Sequence, residues 1–523
     1  MLRTQLLADP SNRFLHDVIL DSCRRHPEKL ALVDASSGRR FTYAEYGDTV
    51  ERLARGFVAS GLRPGEVVAI FLPNSWEFAV AYHAATLAGA IPTLLNPTYR
   101  EREVRYQLEA SDATILITDG PLLHDINLAG LPALRHVFSI RQKAPQTLDF
   151  TDLLGPTTAS LPQPDKPSHA TIAALPFSSG TTGLPKGVML SHHNLVANVY
   201  QVLGPHAAPF VPQDVMLCFL PLYHIYGLTV GLSLTLTLGA TLVLMPRFDM
   251  PKLLALLQQE RVTMMPMVPP AINALCQAAE AGNFPKEHCV RWIKSGAAPL
   301  APELARRLTD LTGITVNQGY GMTEASPVTH VGYNTPPNMN RPASIGQPLA
   351  LTECRVVDLN DGEVALGEAG ELVMRGPQFM LGYWKDPQTT AAVLRDGWYY
   401  SGDIVRTDED NFFYVLDRRK EMIKYKGFPV APAEVEAVLL EHPAVRDCGV
   451  VAKPDASAGE IPCAFVVLRP GNVSSDKLAH ELQSFVSDRL THYKQPREVR
   501  FVDVVPRTPS GKILRRELRK TLA

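Results

Sequence analysis

Residues 178–188 read Ser-Ser-Gly-Thr-Thr-Gly-Leu-Pro-Lys-Gly-Val and form the most informative stretch of this chain. Four hydroxyl side chains, three glycines and Lys186 lie together here, directly after the largely apolar residues 171–177. Glycines let the backbone turn tightly, and clustered backbone N–H groups form a concavity that binds anions. The hydroxyl groups add hydrogen-bond donors and Lys186 adds a positive charge. The stretch therefore predicts a site for a polyphosphate.

Two other interpretations of this stretch are weaker. A Walker A loop has the pattern G-x-x-x-x-G-K-[ST], whereas Lys186 follows Pro185 and precedes Gly187. A mobile Ser/Gly linker has no need of Lys186, or of the apolar residues 188–190 that follow at once. We therefore favour phosphate binding.

Composition limits the class of protein. The chain has 523 residues, 46% of them hydrophobic, which predicts two or more domains with ample apolar material for their cores. The formal net charge of −2 does not favour nucleic acid as a partner. Seven cysteines are scattered without a C-x-x-C or Cys/His cluster, as is typical of a reduced cytoplasmic protein without disulfides or structural zinc.

No signal peptide or transmembrane segment is expected. Polar and charged residues interrupt residues 1–20, so they do not resemble a signal sequence. Residues 228–245 carry no charge, but Gly231, Gly239 and five hydroxyl residues interrupt them. We interpret this segment as a buried helix followed by a core strand at 241–244.

Alternating helical and strand patterns predict a doubly wound sheet in the first part of the chain. Thr42 is expected to cap a helix that closes near Gly61, Asn74 to cap a helix that runs to Gly89, and Thr98 to open a third. Buried strands are expected at 67–72 and 114–118, and a second set at 215–219, 241–244 and 263–268. Residues 156–169 are expected to link the two sets.

The remaining chain predicts a β-rich part and a small separate domain. Short β segments such as 371–375 and 412–416 follow residue 345. A compact α+β pattern comprises helices at 432–441 and 474–490 and strands at 448–452, 462–468 and 499–502. The predicted fold class is thus α/β: a large N-terminal domain (1–416) with doubly wound mixed or parallel sheets and a β-rich subdomain, a hinge (417–420), and a small mobile α+β C-terminal domain (421–523).

Four further features carry chemistry, and three of them have a structural alternative. His224 lies among apolar and aromatic residues, where a lone histidine is usually structural. Glu324 after Thr323 suits Mg²⁺, a hard cation that prefers oxygen ligands, or the pair begins a helix with Thr323 as its N-cap. Asp403 is expected on a tight turn at 400–403, suited to ribose hydroxyls or to an ordinary Asx turn. Lys512 is expected on a flexible turn.

Taken in order, the motifs resemble those of the adenylate-forming superfamily of acyl-CoA synthetases, luciferases and peptide-synthetase adenylation domains. The resemblance covers nearly the whole chain, in residues 178–188, 221–228, 295–299, 318–324, 370–376, 398–404, 417–427 and 509–514. The residues His224-Ile-Tyr226, the leucine after 295–299 and the run Lys-Glu-Met-Ile-Lys-Tyr-Lys-Gly-Phe at 420–428 look like the 4-coumarate:CoA ligase branch.

The resemblance implies an ATP-dependent acid–thiol ligase that works in two half-reactions. A small carboxylic acid would attack the α-phosphate of MgATP to give acyl-AMP, and CoA would then take the acyl group. ATP, Mg²⁺ and CoA are the implied cofactors, and a monomer or homodimer is expected.

The resemblance also implies site residues, position by position. Residues 178–182 and Lys186 would hold the β- and γ-phosphates, Tyr320 would lie against the base, and Asp403 and Arg418 would bind the ribose. Lys512 would act in adenylation, and a rotation about Lys420 would then replace it by Lys424, Lys426 and Gly427. The implied catalytic residues are Lys512, Lys424, His224 and Thr323. The implied ATP and AMP contacts are Ser178, Ser179, Gly180, Thr181, Thr182, Lys186, Gly296, Ala297, Ala298, Pro299, Gln318, Gly319, Tyr320, Thr323, Asp403 and Arg418. The implied metal ligand is Glu324, and the implied hinge residue is Lys420. The implied acyl pocket is formed by His224, Tyr226, Val230, Pro327 and Val328. The implied CoA contacts are Arg247, Lys426 and Gly427.

Two departures from the branch bear on the substrate. Val230 occupies a position where plant enzymes carry a serine near the ring hydroxyl, and Pro429 replaces a common glutamine. A site without a hydroxyl's partner loses its discrimination for that hydroxyl. We therefore expect a less polar acid, either cinnamate-like, simple aryl or medium-chain aliphatic.

Other activities remain open from the sequence. They are a long-chain fatty-acid CoA ligase, a luciferase-like oxygenase, an amino-acid-activating domain and a non-catalytic nucleotide-binding scaffold. An amino-acid activator normally carries an aspartate after the fourth motif, and residues 223–228 contain no carboxylate. A scaffold would be expected to lose Lys186, Glu324, Asp403 and Lys512, and all four are present.

Overall fold

A computed structural model describes residues 13–162, 169–178, 184–204, 210–332, 340–358, 360–419, 421–426, 428–455, 457–508 and 511–522. The α-helices of this part of the chain are Leu15–Arg25, Tyr43–Ala59, Trp76–Leu87, Glu101–Ser111, His192–Leu203, Leu234–Leu238, Met250–Gln259, Pro269–Glu280, Pro302–Thr312, Pro387–Val393, Pro432–Glu441, Asp476–Ser487 and Arg515–Lys520. Short 3₁₀ helices are Gly120–Leu123, Phe150–Leu154, Thr323–Ala325 and His492–Lys494.

Two large sheets build the main part of the molecule, as the alternating pattern predicts. The described strands of the first are parallel and run in the order Ile91–Leu94, Val67–Ile70, Ala113–Thr118, His136–Ser139 and Leu148–Asp149. Those of the second, a mixed sheet, run in the order Gln347–Pro348, Val328–Val331, Thr315–Gly321, Trp292–Ser295, Met264–Met267, Val215–Cys218, Thr241–Leu244, Leu30–Asp34 and Arg40–Thr42. Helices connect most of the successive parallel strands, since parallel strands need a crossover connection.

The register of the mixed sheet determines where its motifs meet. Met267 pairs with Ser295, and Ser295 pairs with Gln318, all in parallel strands. The carboxyl ends of these strands therefore lie at one edge of the sheet. In open α/β sheets ligands bind outside this edge.

Two smaller sheets bring distant motifs together. Strand Lys186–Ser191 pairs with Ile172–Ala174, Phe177–Ser178 and Gly382–Tyr383. The β-rich sheet comprises Glu353–Val357, Gly370–Arg375, Trp398–Thr407, Leu394–Arg395 and Phe413–Arg418. In it, Asp403 pairs directly with Arg418. Gly382–Tyr383 is almost 200 positions from Lys186–Ser191, so only the sheet makes these two segments neighbours, whereas Asp403 and Arg418 lie on successive strands.

The C-terminal α+β unit has its own sheet and its own hydrophobic cluster. The sheet contains Phe428–Val430, Ile423–Tyr425, Gly459–Leu468, Val445–Asp455 and Glu498–Phe501. Ile423, Val435, Leu439, Val450 and Val466 are among the buried residues of the cluster. The fold class is confirmed, whereas the boundary at 417–420 stays a prediction, and position 420 lies outside the described residues.

Helix starts were predicted with mixed success. Thr42 caps its helix as expected, and Glu45 completes a capping box. The Asn74 prediction is wrong, because Ser75 is the N-cap and the Asn74 amide instead donates to the carbonyl groups of Leu220 and Met245. The Thr98 prediction is also wrong, since the helix begins after Arg100 and Thr98 donates to Asn96.

Two turn assignments also differ from the structure. Residues 400–403 lie inside the strand Trp398–Thr407 and not on an isolated tight turn. Met322, not Thr323, precedes the 3₁₀ turn, and it makes no side-chain cap. Polar and glycine-rich motifs suggest turns in a sequence, but here strand pairing satisfies the backbone.

The uncharged segment at 228–245 is a buried helix and strand, as predicted. Its first part is a π-helix, Gly227–Ser233, which is followed by Leu234–Leu238 and then by the core strand Thr241–Leu244. Gly239, in the left-handed region with φ of 78°, ends the helix. None of the described helices is both long and apolar enough to cross a membrane.

Candidate active site

Asp403, in the central strand Trp398–Thr407 of the β-rich sheet, is the centre of a buried polar group. Its carboxylate is 5% exposed and accepts a hydrogen bond of 2.5 Å from the Tyr320 hydroxyl. Arg418 Nε lies 3.2 Å from its other oxygen. Burial and the charge of Asp403 raise the pKa of Tyr320 well above its usual value, so the phenol stays a neutral donor. The two predicted ribose residues and the predicted base residue are thus in contact.

Glu324 lies in a second polar group. Its side chain is buried, and its Oε1 accepts a hydrogen bond of 2.9 Å from the Tyr383 hydroxyl. Within the described residues, no cluster of three or more His, Cys, Asp or Glu side chains could hold a metal ion. Mg²⁺ in nucleotide sites is usually bound by one or two carboxylates and the substrate phosphates. The single buried carboxylate of Glu324, whose Oε2 is not used by Tyr383, therefore fits Mg²⁺.

Lys186 makes contacts that the sequence did not predict. Its Nζ donates to Asp386 Oδ2 at 2.6 Å and to the Thr389 hydroxyl. The ammonium also lies 5.8 Å from the centre of the Tyr383 ring. Because both Lys186 and Asp386 remain about 30% exposed, the ion pair faces solvent and a ligand can reach it.

The C-terminal unit brings Lys512 to the Asp403 group. Gly511 lies against Pro270, since a Cβ added to Gly511 would be 3.1 Å from Pro270 Cδ. Burial and the nearby charge of Arg418 lower the pKa of Lys512 to about 8, while Glu421 and Asp403 act in the opposite direction. Lys512 and the predicted ribose residues therefore share one electrostatic environment.

A buried ion network supports the Lys512 turn. The Arg515 guanidinium donates to Glu421 at 2.9 Å, to both Glu436 oxygens and to the carbonyl of Val450 at 3.0 Å. Asp417 lies nearby and accepts the backbone N–H of Ala433 at 3.1 Å. Burial raises the pKa of Asp417 to about 7. The network joins the end of the β-rich sheet to the C-terminal unit.

The predicted acyl residue Tyr226 lies beside the 295–299 motif, and His224 contacts the backbone of Tyr226. A Cβ on Gly296 would be 2.9 Å from the Tyr226 ring, so only glycine fits there. The Tyr226 hydroxyl donates to the carbonyl of Lys294 at 3.0 Å. His224 Nδ1 accepts the N–H of Tyr226 at 3.3 Å, and burial lowers the pKa of His224 to about 4. His224 is therefore neutral at physiological pH.

Other predicted pocket residues have identifiable supports. The Asn198 side chain bonds to both backbone groups of Val328: its Oδ1 accepts the N–H at 3.0 Å, and its Nδ2 donates to the carbonyl at 2.7 Å. Pro327 accepts the N–H of Met322 at 3.0 Å, and Val230 is buried. Gln318 joins two motifs, because its side chain accepts the N–H of Leu300 at 2.9 Å.

Sequence reasoning missed Lys294, a buried lysine in the strand Trp292–Ser295. Its Nζ donates to the carbonyl of Gly332, and burial lowers its pKa to about 7. Asn317 pairs with it in the next strand and is buried with no hydrogen-bond partner for its amide. A lysine between an apolar pair and the 295–299 motif is a signal that could have identified this position.

Several predicted residues are not drawn into these groups. Arg247, Lys424 and Lys426 are exposed. Ala297 and Pro299 are exposed and Ala298 is half-buried, while Gly319 and Thr323 are half-buried on the two sides of Tyr320. Ser178, at the end of its strand, pairs with Lys186. The predicted residues Ser179, Gly180, Thr181, Thr182, Lys420 and Gly427 lie outside the described residues.

The turn that carries Lys512 in the C-terminal unit thus packs against Pro270 and lies within the electrostatic range of Asp403 and Arg418. A family profile described as "AMP-binding enzyme" matches residues 19–384, and one described as "AMP-binding enzyme C-terminal domain" matches residues 434–512. The chain belongs to the AMP-binding enzyme family.

Individual relatives agree with this assignment. The chain is 37% identical to 4-coumarate-CoA ligase 1 of Narcissus pseudonarcissus over 524 residues, covering 98% of this chain and 94% of that protein. It is 37% identical to 4-coumarate–CoA ligase 5 of Oryza sativa subsp. japonica, covering 99% and 96%.

Solved structures resemble the whole chain. The anthranilate CoA ligase AuaEII in complex with anthranoyl-AMP superimposes with a TM-score of 0.88 at 26% identity, covering 98% of each chain. A benzoate CoA ligase from Burkholderia xenovorans LB400 superimposes with a TM-score of 0.87 at 27% identity, covering 97% of this chain and 100% of that one. The expectation of an ATP-dependent, AMP-forming acyl/aryl-CoA ligase is confirmed.

Proposed function

We propose that this protein activates an aryl or cinnamate-like carboxylic acid with MgATP and joins it to CoA, with the site residues acting in the roles predicted above. The observation that carries the proposal is the approach of Lys512 to Asp403 and Arg418. A lysine that the C-terminal domain places near the proposed ribose-binding carboxylate of the large domain is suited to the first half-reaction. The names of the relatives support the class of acid.

In the first half-reaction an oxygen of the substrate carboxylate attacks the α-phosphorus, and the bond to pyrophosphate breaks. Two anions must meet, so the positive charge of Lys512 offsets their repulsion and the charge that develops. Lys186 binds the leaving pyrophosphate, while Asp403 and Arg418 hold the ribose. Glu324 would hold Mg²⁺, which when bound neutralises charge on the phosphate oxygens.

In the second half-reaction the CoA sulfur attacks the acyl carbon and AMP leaves. AMP is a much better leaving group than hydroxide, so forming the mixed anhydride first divides one difficult step into two easier ones. Lys424 and Lys426 are exposed here, which supports a rotation of the C-terminal domain about Lys420 before CoA reacts. Arg247, also exposed, would bind a CoA phosphate. A cytoplasmic location and a monomeric or homodimeric state stay predictions.

The substrate acid should be one that carries no hydroxyl group requiring a hydrogen-bond partner in the pocket. Val230 is buried and apolar, and the neutral His224 adds no charge to the pocket. The test is CoA-dependent AMP release by the purified protein over aryl, cinnamate-type, medium-chain and long-chain acids. We expect cinnamate-type or simple aryl acids to give the highest kcat/KM.

Each other outcome of this screen has a defined meaning. A preference of more than tenfold for 4-coumarate over cinnamate would contradict the role given to Val230. Activity only with long-chain acids would replace the aryl proposal by a fatty-acid ligase. ATP binding without pyrophosphate exchange for any acid would favour the scaffold.

The pH dependence of adenylation should report Lys512. Its charge is present below its pKa of about 8 and is lost as pH rises through that value, whereas an ordinary lysine stays charged to about 10. We expect kcat/KM for pyrophosphate–ATP exchange to fall above pH 8, because this quantity reports the free enzyme. In the Lys512→Arg variant, the fall in kcat/KM above pH 8 should be absent, however low the remaining rate is. A wild-type rate that stays level to pH 9.5 would contradict the assignment.

A further inference from the structure

Residues 380–390, which we call the support segment, lie against Glu324 and against the strand that carries Lys186. The N–H of Met380 donates to the carbonyl of Glu324 at 2.8 Å, and the N–H of Trp384 donates to the carbonyl of Gly187 at 2.8 Å. The strand Gly382–Tyr383 pairs with Lys186–Ser191. One short segment is therefore attached by its backbone to two motifs that are distant in the sequence.

The side chain of Tyr383 adds a contact to the carboxylate. Its hydroxyl donates to Glu324 Oε1 at 2.9 Å, and both residues are about 8% exposed. A carboxylate has two oxygens, and a donor on one fixes the rotation of the whole group. Hydrogen bonds to carboxylates that bind metals orient them and affect metal affinity in the same way. Tyr383 thus leaves Oε2 of Glu324 as the oxygen for a cation.

The side chain of Asp386 makes the corresponding contact to the lysine. Its Oδ1 accepts the N–H of Thr389 and caps the helix Pro387–Val393, while its Oδ2 accepts Lys186 Nζ. An ammonium group has three donors, and Asp386 and Thr389 use two of them. One donor of Lys186 remains for a phosphate oxygen.

A separate ion pair holds the other side of the same segment. Lys385 Nζ lies 2.5 Å from Asp112, and both side chains are more than half exposed. This pair touches neither Lys186 nor Glu324 among the described contacts. It attaches the segment to the first sheet without a role in the site, and it offers a matched control.

We propose that the support segment holds the metal-binding carboxylate and the phosphate-binding lysine in position for adenylation, and that Tyr383 and Asp386 are its positioning residues. The inference rests on the proposed function, since it presumes that Glu324 and Lys186 meet MgATP. It assigns no substrate contact to Tyr383 or Asp386. Each acts through the group that it holds.

Tyr383→Phe tests the carboxylate half. The change removes one hydroxyl, and we expect the affinity for Mn²⁺, measured by its EPR signal in the presence of a non-hydrolysable ATP analogue, to fall by about tenfold. The control is Tyr43→Phe, which removes a buried hydroxyl that donates to the carbonyl of Ala240 at 2.7 Å. Equal Mn²⁺ affinity in Tyr383→Phe and Tyr43→Phe would overturn this half.

Asp386→Asn tests the lysine half. Asparagine caps a helix as well as aspartate does, so the helix Pro387–Val393 should persist while the ion pair to Lys186 is lost. We expect the KM for ATP in pyrophosphate exchange to rise about tenfold, with thioester formation from supplied acyl-AMP unchanged. Asp112→Asn, which breaks the other ion pair of the segment, should match the wild type.

A double-substitution cycle separates positioning from a general structural effect. If Asp386 acts through Lys186, then Asp386→Asn has no further effect in a Lys186→Met background. An additive loss, or tighter ATP binding in Asp386→Asn alone, would overturn the proposal. Should the wild type show no exchange with any acid, the proposed function fails. Should the wild type exchange normally while both variants match their controls, only this inference fails.

Discussion

Replacement of Lys512 by alanine is expected to lower the rate of acid adenylation by about 10²- to 10³-fold, the loss seen when one preorganised charge-stabilising group is removed. Lys512 is the cation that the C-terminal unit delivers beside Asp403 and Arg418. Thioester formation from supplied acyl-AMP should change little, because pyrophosphate has already left that substrate. The two steps are measured separately, by pyrophosphate–ATP exchange and by acyl-CoA formation from synthetic acyl-AMP.

Lys520→Ala is the matched control for this experiment. Lys520 belongs to the same unit, is exposed, and pairs only with Glu517 one turn away in the described contacts. Both half-reactions should proceed normally in this variant. An equal loss of both steps in Lys512→Ala would mean that the residue supports the fold, and the proposed division of labour would be wrong.

Arg515→Met is expected to have the largest effect on stability. Arg515 is 9% exposed and neutralises Glu421 and Glu436 beside Asp417. Removing one partner from a buried ion network leaves uncompensated charge and costs about 3–5 kcal/mol. We expect backbone amides of Val445–Asp455 and Gly459–Leu468 to exchange with deuterium roughly 10²- to 10⁴-fold faster, since these strands are next to the network.

Arg516→Met provides the comparison for Arg515→Met. Arg516 is the next residue along the helix Arg515–Lys520, but its side chain is exposed. Its substitution should leave the exchange rates of both strands unchanged. Unchanged rates in Arg515→Met as well would show that the carboxylates find other partners or become protonated at little cost.

The fold was predictable wherever local chemistry decides it. Thr42 and Glu45 form a capping box because both side chains lie within one turn of each other. The strands predicted at 114–118 and 241–244 are buried strands, Ala113–Thr118 and Thr241–Leu244, for the same local reason. Where polar side chains have distant partners the predictions failed, as for Asn74, whose amide bonds across the molecule to Leu220 and Met245.

The sequence predicted which residues form the candidate site better than it predicted which of them contact one another. Tyr320, Asp403 and Arg418 were expected to share a nucleotide site from their motifs, and they are hydrogen-bonded or ion-paired in the structure. Their roles toward ATP stay predictions. Tyr383 and Asp386 were not expected, because nothing local to either of them points to Glu324 or Lys186.

The stretch at 178–188, together with the seven other motifs, determined the family, the two half-reactions and the residue types of the site. The chemistry of a motif is local, so a run of hydroxyl residues, glycines and a lysine indicates phosphate binding whatever the rest of the fold. Only the tertiary structure decided that Lys186 pairs with Asp386 and that Lys512 lies within the electrostatic range of Asp403. Both arrangements depend on sheet register and on the docking of the C-terminal unit. Register and docking are set by many buried contacts between residues hundreds of positions apart, so no single motif contains them.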